Sequence, residues 1–182
     1  MPRRIAVVGA SGAGKTTFAR EAGLRLGVPH VELDALVHGP GWREASAEEL
    51  RESLEPILVS TAGWVVDGNY ERKLGDAVLE RADTVVWLDP PLATILLRLW
   101  RRTVHRIRTR EELWNGNRES WRNAFLGRES LFAWAIRTER RNRTALPARF
   151  ARPHLRELCV VHLRSPAAAA RWIARQENGP GA

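Results

Sequence analysis

One stretch of the sequence decides the fold: Ile5-Ala6-Val7-Val8-Gly9-Ala10-Ser11-Gly12-Ala13-Gly14-Lys15-Thr16. Residues 5–8 are an apolar run that predicts a short buried strand. Residues 9–16 satisfy the pattern G-x-x-x-x-G-K-[ST], a loop whose backbone N–H groups cradle phosphates. A helix is predicted to begin at Thr16 and end at Leu26, with Gly27 as its C-terminal cap. This order of strand, glycine-rich loop and helix predicts an α/β protein that binds the phosphates of a nucleoside triphosphate.

The loop pattern also predicts which residues hold the nucleotide and its metal. Lys15 is expected to reach the β- and γ-phosphates of ATP, and the Thr16 hydroxyl is expected to ligate Mg²⁺. The predicted nucleotide-binding residues lie in the loop and the first helical turn; they are Gly9, Ser11, Gly12, Ala13, Gly14, Lys15, Thr16 and Thr17. Lys15 is also a predicted catalytic residue, because its ammonium would stabilise charge that develops during phosphoryl transfer.

Short apolar runs alternate with helical segments along the rest of the chain. Strands are predicted over residues 5–8, 30–33, 64–66, 84–88 and 158–163. Further helices are predicted over 46–60, 73–80, 92–108, 120–143 and 167–176. Ser46 and Glu49 form a capping-box pattern at the start of the first of these. The alternation is typical of a parallel sheet covered by helices on both faces. Since no linker or repeat interrupts it, residues 1–182 are predicted to form a single domain.

Three of the predicted strands end in aspartate, and ligands of open α/β sheets bind at the carboxyl ends of strands. Asp67 has the form of a carboxylate that holds Mg²⁺, directly or through water, although Asp-Gly is also a turn signal. Asp34 could orient or deprotonate an acceptor hydroxyl, or could cap the turn that follows it. Asp89, before two prolines, is predicted to be structural. Asp34 and Asp67 are therefore predicted catalytic residues, and Thr16 and Asp67 the predicted metal ligands.

Composition restricts the kind of protein and its partners. The formal net charge is +8, and residues 98–143 carry the whole excess with 13 arginines against 5 glutamates, which predicts a polyanionic ligand. No apolar run reaches the roughly 18 residues that cross a bilayer, and no secretion signal precedes the first strand. A cytoplasmic protein without a membrane partner is therefore expected. The single cysteine, Cys159, lies in an apolar run and is predicted to be a core residue.

The arginine-rich segment is interpreted as a helical lid over residues 103–122. Arginines that close over the γ-phosphate would stabilise its charge and exclude water. Arg118 is a predicted catalytic phosphate ligand within this lid. A solvated basic face is the alternative, particularly for the arginines over 137–143. Trp100 and two further tryptophans interleave with the arginines, a pattern also found in proteins that bind single-stranded nucleic acid.

These motifs resemble the nucleoside monophosphate kinase and shikimate kinase group of P-loop proteins. Val66-Asp67-Gly68 and Val85-Val86-Trp87-Leu88-Asp89-Pro90-Pro91 look like the third and fourth strands of that group. The resemblance implies a three-layer α/β/α fold with a five-stranded parallel sheet of order 2-3-1-4-5. It also implies that Arg98 packs on the ATP base and that Arg102 contacts phosphate, a catalytic as well as a nucleotide-binding role.

A closer resemblance is to the small adenylate-kinase-like proteins labelled DNA topology modulation proteins. It rests on the phosphate loop and on four further pieces, which are residues 30–34, 40–42, 64–70 and 81–89. Adenylate kinases follow Asp-Gly with Phe-Pro-Arg, whereas this chain has Asn69-Tyr70-Glu71-Arg72, which places the arginine one position late. The sequence therefore predicts an ATP- and Mg²⁺-dependent kinase acting on a small hydroxyl or phosphate acceptor of open identity. A nucleic-acid-linked ATPase or regulator, or a polynucleotide-end kinase, is the alternative.

Overall fold

Five short apolar runs form the strands of one sheet in the computed structural model, which describes residues 2–60, 62–109, 112, 115 and 130–177. The strands are β1 (Arg4–Gly9), β2 (His30–Glu32), β3 (Trp64–Asp67), β4 (Thr84–Leu88) and β5 (Cys159–Leu163). All pairs are parallel and the order is β2-β3-β1-β4-β5, as the resemblance implied. The carboxyl ends of β1, β3 and β4 therefore meet at one edge, where the phosphate loop begins.

The central strands are apolar on both faces, so alternate residues along each strand pack into different hydrophobic cores. Ile5 and Val7 pack on one face of the sheet with the first and last helices, whereas Ala6 and Val8 pack on the other. Trp64 and Trp87 are buried, with exposed fractions of 0% and 6%. Burial on both faces is typical of a parallel sheet that helices cover on each side.

Eight helices are described around the sheet. They are α1 (Lys15–Leu26), α2 (Leu33–Val37), α3 (Ala47–Leu58), α4 (Glu71–Leu74), α5 (Ala77–Arg81), α6 (Leu92–Thr109), α7 (Leu131–Phe150) and α8 (Pro166–Ala174). Short 3₁₀ segments cover Pro40–Trp42, Pro153–Leu155 and Arg175–Glu177. The arrangement is consistent with the predicted three-layer α/β/α fold. Within the described ranges, no helix has the length and apolarity that would let it cross a bilayer.

The capping box at the start of α3 is confirmed. The Ser46 hydroxyl accepts the Glu49 backbone N–H at 3.0 Å, and the Glu49 carboxylate accepts the Ser46 backbone N–H at 2.7 Å. The helix predicted over 73–80 is wrong in its continuity, because α4 and α5 are separate. Gly75 stands between them with φ 58° and ψ −133°, a positive-φ conformation that glycine adopts readily and that ends α4.

Two further expectations are corrected. Strand β2 ends at Glu32, so Asp34 lies within α2 and is not the residue that caps a turn. Cys159 is exposed rather than buried, because it begins β5, which is an edge strand with neighbours on one side only. Its apolar neighbours in the sequence misled the prediction, since an edge strand can be apolar without being enclosed.

A buried carboxylate joins the short helices to the C-terminal half of α7. Asp76 accepts hydrogen bonds from Arg149 Nε and Arg152 Nη1, both at 2.6 Å, and contacts His154 Nε2 at 2.9 Å. Glu71 adds a second contact to Arg152 at 3.1 Å. Burial alone would raise the pKa of Asp76, but the hydrogen bonds from Arg152, Arg149 and His154 outweigh it and lower that pKa to about 2.

Candidate active site

The phosphate loop forms the floor of a cleft of about 1550 Å³ at the carboxyl edge of the sheet. Its residues from Ser11 to Thr17 line the cleft, and the backbone continues directly into α1. Gly12 has φ 82°, and a Cβ built there would lie 2.8 Å from Leu99 Cγ and 2.9 Å from the Ile95 carbonyl oxygen. Helix α6 therefore packs against the loop at a distance that only glycine allows.

Lys15 is held close to the loop that precedes it. Its side chain is half-buried, and Nζ donates to the Ala10 carbonyl at 3.3 Å. Desolvation lowers the pKa of Lys15, while the nearby Asp34 and Asp67 carboxylates act in the opposite direction. The Lys15 ammonium therefore lies close enough to both predicted catalytic carboxylates for them to raise its pKa.

Beside Lys15, oxygen atoms from three elements converge. Thr16 Oγ1 donates to Glu32 Oε1 at 3.1 Å and lies 3.4 Å from Asp67 Oδ1. Asp67 is 2% exposed, and its other oxygen, Oδ2, contacts His30 Nε2 at 2.7 Å. A hydroxyl and two carboxylates are the oxygen ligands that Mg²⁺ takes in proteins, so these residues fit the predicted metal. Thr16 and Asp67 would hold it, with Glu32 as a neighbour that sequence reasoning missed.

Asp34 belongs to a second polar group on the same cleft. The Tyr70 hydroxyl donates a hydrogen bond to Asp34 Oδ1 at 2.6 Å, and the same hydroxyl lies 3.3 Å from His38 Nε2. Burial, followed by the neighbouring Asp34 carboxylate, raises the pKa of Tyr70, so the phenol stays protonated and donates. The neutral Tyr70 hydroxyl thus orients the Asp34 carboxylate through Oδ1, and the second oxygen, Oδ2, takes no part in that hydrogen bond.

Asn69 connects the end of β3 to the start of the phosphate loop. Its side-chain oxygen accepts the Gly9 N–H at 3.2 Å, and its side-chain nitrogen donates to the Gly9 carbonyl at 2.6 Å. Gly9, predicted to bind nucleotide, is therefore bonded to a side chain through both of its backbone polar groups. Its role toward phosphate stays a prediction.

Helix α6 supplies arginines to the cleft. Arg98 donates from Nη1 to the Ala13 carbonyl at 2.9 Å, and Arg102 and Arg106 follow on the same helix and line the same cleft. Residues 103–109 of the predicted lid form the C-terminal end of α6. The prediction for Arg118 falls outside the described residues.

Asp89 and the basic face of α7 have structural contacts. Asp89 is 7% exposed and lies 3.2 Å from Arg143 Nε and 3.0 Å from His162 Nε2. The His162 ring stacks on Trp87 with 3.8 Å between centroids. This agrees with the structural role predicted for Asp89, although its partners belong to α7 and β5 rather than to the helix that follows it. Arg143 also pairs with Glu139 at 2.9 Å.

The structure brings most of the predicted site residues to one place. Residues 11–17, Asp34, Arg98 and Arg102 line the cleft, and Asp67 lies beneath Thr16. The side chains that sequence reasoning did not select are His30, Glu32, His38, Asn69 and Tyr70. Glu32 stands opposite Asp67 in the register of β2 and β3, a relation that only the folded sheet shows.

No family model matches the chain. Over 118 residues it is 29% identical to threonine synthase-like 1 from Mus musculus, a match that covers 58% of this chain. The match spans only 16% of that relative's length.

Solved structures show the same fold over nearly the whole chain. A shikimate kinase from Bacteroides thetaiotaomicron has a TM-score of 0.56 at 15% identity, with 96% of each chain covered. A shikimate kinase from Acinetobacter baumannii in complex with shikimate has a TM-score of 0.55 at 16% identity, covering 95% of this chain and 89% of that one. A gluconokinase from Sinorhizobium meliloti 1021 has a TM-score of 0.54 at 20% identity, covering 96% and 93%. The chain therefore has the fold of the P-loop kinases.

Proposed function

We propose that this protein is a small-molecule kinase that transfers the γ-phosphate of ATP to a hydroxyl or phosphate acceptor. The observation that carries the proposal is the convergence of Lys15, Thr16 and Asp34 on one cleft, with Asp67 directly beneath Thr16. A glycine-rich turn without phosphate chemistry would need none of these acidic and basic side chains at the same edge of the sheet. The fold shared with shikimate kinase and gluconokinase structures is in keeping with it.

One set of residues acts on the phosphate donor, ATP, and another acts on the acceptor. Backbone N–H groups of the loop and the N-terminus of α1 bind the phosphates, and Lys15 and Arg102 stabilise charge on the oxygens of the transferred group. Thr16 and Asp67 would hold Mg²⁺, which would supply positive charge beside the β- and γ-phosphates. Asp34 accepts the proton of an acceptor hydroxyl, and Tyr70 fixes the orientation of the Asp34 carboxylate.

A test of the proposal measures ADP release from ATP and Mg²⁺ with a panel of nucleosides, nucleotides, sugars and shikimate. Replacement of Lys15 by alanine should lower acceptor-dependent turnover by about 10²–10³-fold, because one charge-stabilising donor to the transferred group is lost. Arg20→Ala is the matched control, since it removes a positive charge from the exposed face of the same helix. Unchanged turnover in Lys15→Ala would refute the mechanism.

A nucleic-acid-linked function is the second candidate. Trp100 is 50% exposed on α6, and with Arg101 and Arg108 it lines a separate shallow depression of about 440 Å³. An exposed indole between arginines can stack on a base while the cations contact phosphates. This candidate predicts salt-dependent binding of a single-stranded oligonucleotide that is weakened by Trp100→Ala.

A further inference from the structure

Two side chains of β2 share a face of the sheet with the last residue of β3. His30 lies opposite Val65 in the register, and Glu32 lies opposite Asp67. Because side chains alternate along a strand, His30 and Glu32 point to one face, which is also the face of Val65 and Asp67. Val65 packs in the core that α1 covers. His30 therefore lies on the α1 side of the sheet, diagonally across from Asp67.

The backbone around His30 is fixed from two sides. A Cβ built on Gly23 of α1 would lie 3.3 Å from His30 Cβ and 3.0 Å from the Val28 carbonyl oxygen, so the helix packs closely on the start of β2. On the other side, the Val65 N–H donates to the Pro29 carbonyl at 2.9 Å. The His30 side chain itself is only 18% exposed. Its ring therefore has little freedom to move away from Asp67.

The two oxygens of the Asp67 carboxylate have different partners. Asp67 is 2% exposed, and a buried carboxylate is costly without hydrogen bonds. Oδ2 accepts from His30 Nε2 at 2.7 Å. Oδ1 lies 3.4 Å from Thr16 Oγ1, whose single proton is closer to Glu32 Oε1, at 3.1 Å. The charge of the Lys15 ammonium acts on Asp67 as well. His30 thus engages Oδ2, and Oδ1 is the oxygen that faces Thr16.

We propose that His30 is a positioning residue for the metal of this site: its bond to Oδ2 holds the Asp67 carboxylate with Oδ1 turned toward Thr16, where Mg²⁺ would bind. The inference rests on the proposed kinase function and assigns a role within it to a residue outside the phosphate loop. His30 does not line the cleft, so it acts through Asp67 and not on the nucleotide. Ligating carboxylates are commonly held by such outer hydrogen bonds, whose loss lowers metal affinity by about 10–100-fold.

A purely structural role for the same contact has a different signature. Loss of the donor to a buried carboxylate would then destabilise the fold and disturb Thr16 whether or not Mg²⁺ is present. A positioning role toward the metal predicts that nucleotide binding without Mg²⁺ stays as it is and that only the contribution of Mg²⁺ is lost. Nucleotide binding measured with and without the metal therefore distinguishes the two roles, without relying on turnover.

The experiment measures binding of AMP-PNP, a non-hydrolysable ATP analogue, by isothermal titration calorimetry in EDTA and in MgCl₂. The two dissociation constants and the affinity of free AMP-PNP for Mg²⁺ close a thermodynamic cycle, which gives the affinity of the protein–AMP-PNP complex for Mg²⁺. In His30→Ala this Mg²⁺ affinity should fall by about tenfold or more, while the dissociation constant in EDTA stays within about twofold. Asp67→Asn should lose Mg²⁺ affinity in the same way, because the ligand itself is changed.

Two amide variants make the test specific to the Nε2 donor. The side-chain nitrogen of glutamine reaches about as far as histidine Nε2, so His30→Gln should restore most of the Mg²⁺ affinity, whereas the shorter His30→Asn should not. His105→Ala is the control, because His105 is exposed on α6 and does not line the cleft. If His30→Ala does not fold, the comparison of the glutamine and asparagine variants tests the same donor.

The outcomes separate this inference from the proposed function. An unchanged or higher Mg²⁺ affinity in folded His30→Ala, while Asp67→Asn loses it, overturns the inference and leaves the kinase proposal standing. Equal weakening of AMP-PNP binding in EDTA and in MgCl₂ also overturns it, since that is the structural signature, and so does equal Mg²⁺ affinity in the two amide variants. Failure of the unchanged protein to bind AMP-PNP under either condition overturns the proposed function and this inference together.

Discussion

Asp34 shows how much a single residue's neighbours decide its chemistry. Its carboxylate accepts a hydrogen bond from the Tyr70 hydroxyl at 2.6 Å. It also lies near enough to Lys15 to influence the pKa of that ammonium. A residue that only capped a turn would bond to its own backbone neighbours. The observed partners are side chains from distant parts of the chain, which suits a base that must be held in one orientation.

Replacement of Asp34 by asparagine should therefore lower kcat by about 10²–10⁴-fold, because the general base is lost. The KM for ATP should change little, since the asparagine side chain would keep the shape and a hydrogen-bond acceptor for Tyr70. Steady-state kinetics with varied ATP and varied acceptor measure both parameters. Tyr70→Phe should cause a smaller loss of kcat, because it disturbs only the orientation of the carboxylate; a loss equal to that of Asp34→Asn would contradict the assigned roles.

At this scale, the sequence predicted residues whose chemistry is encoded locally. Lys15 and Thr16 stand at fixed offsets within one continuous pattern, so their placement beside the cleft could be predicted. His30 and Asn69 could not, because their roles depend on contacts with Asp67 and Gly9 that only the folded sheet creates. Neither residue has a local spacing that distinguishes it from an ordinary polar residue.

At the scale of elements, short helices rely on side-chain contacts rather than on their own length. Helices α4 and α5 have 4 and 5 residues, too few to be stable alone. Asp76 lies between them and accepts hydrogen bonds from Arg149, near the end of α7, and from Arg152, two residues beyond that helix. This cluster fixes the segment that follows Tyr70, and so supports the acceptor side of the cleft.

The Asp76 cluster should make stability depend on pH in acid. Its pKa of about 2 in the folded chain lies below its ordinary 3.8, so the contribution is complete above about pH 4 and is lost as the pH falls toward 2. The shift corresponds to about 2 kcal/mol. Asp76→Asn should be destabilised by about that amount at pH 7, and less near pH 2, in urea unfolding followed by circular dichroism.

Glu157→Gln is the matched control for this measurement, because the Glu157 side chain is 90% exposed. It should leave the unfolding free energy almost unchanged at both pH values. An Asp76→Asn variant as stable as the unchanged protein at pH 7 would show that the cluster contributes nothing to the fold.

The boundaries of helices were predictable where the sequence contains a capping pattern. Ser46 and Glu49 predicted the start of α3 because both partners of the capping box lie within one turn. The end of α7 was not predictable: it continues beyond Arg143 to Phe150, through Pro147. Phe150 packs on Trp87 with 6.3 Å between ring centroids, so tertiary contact extends this helix further than its local sequence predicts.

At the scale of the whole molecule, the nucleotide site joins elements that are distant in sequence. The loop contacts α6 through Gly12 and the segment after β3 through Asn69, and it is joined to β4 through its own strand β1. A ligand held there should therefore stabilise the entire sheet. The order of strands, by contrast, followed from the family resemblance, because alternation along a chain predicts a parallel sheet without saying which strands are neighbours.

Binding of ATP with Mg²⁺ should raise the melting temperature. At a concentration about 100 times the dissociation constant the added stability is about 2.7 kcal/mol. Differential scanning fluorimetry measures the shift, with the Lys15→Ala variant expected to show a much smaller one. An equal shift in both proteins would place the nucleotide elsewhere.

The exposed Cys159 offers a practical means of observing such binding. It is the single thiol of the sequence and stands at the amino end of β5, opposite Thr84 in the register. Four residues of rise along β5 place it on the order of 13 Å below the edge that carries the phosphate loop. A maleimide dye would therefore attach at one known position without entering the cleft, and fluorescence could follow nucleotide binding in otherwise unaltered protein.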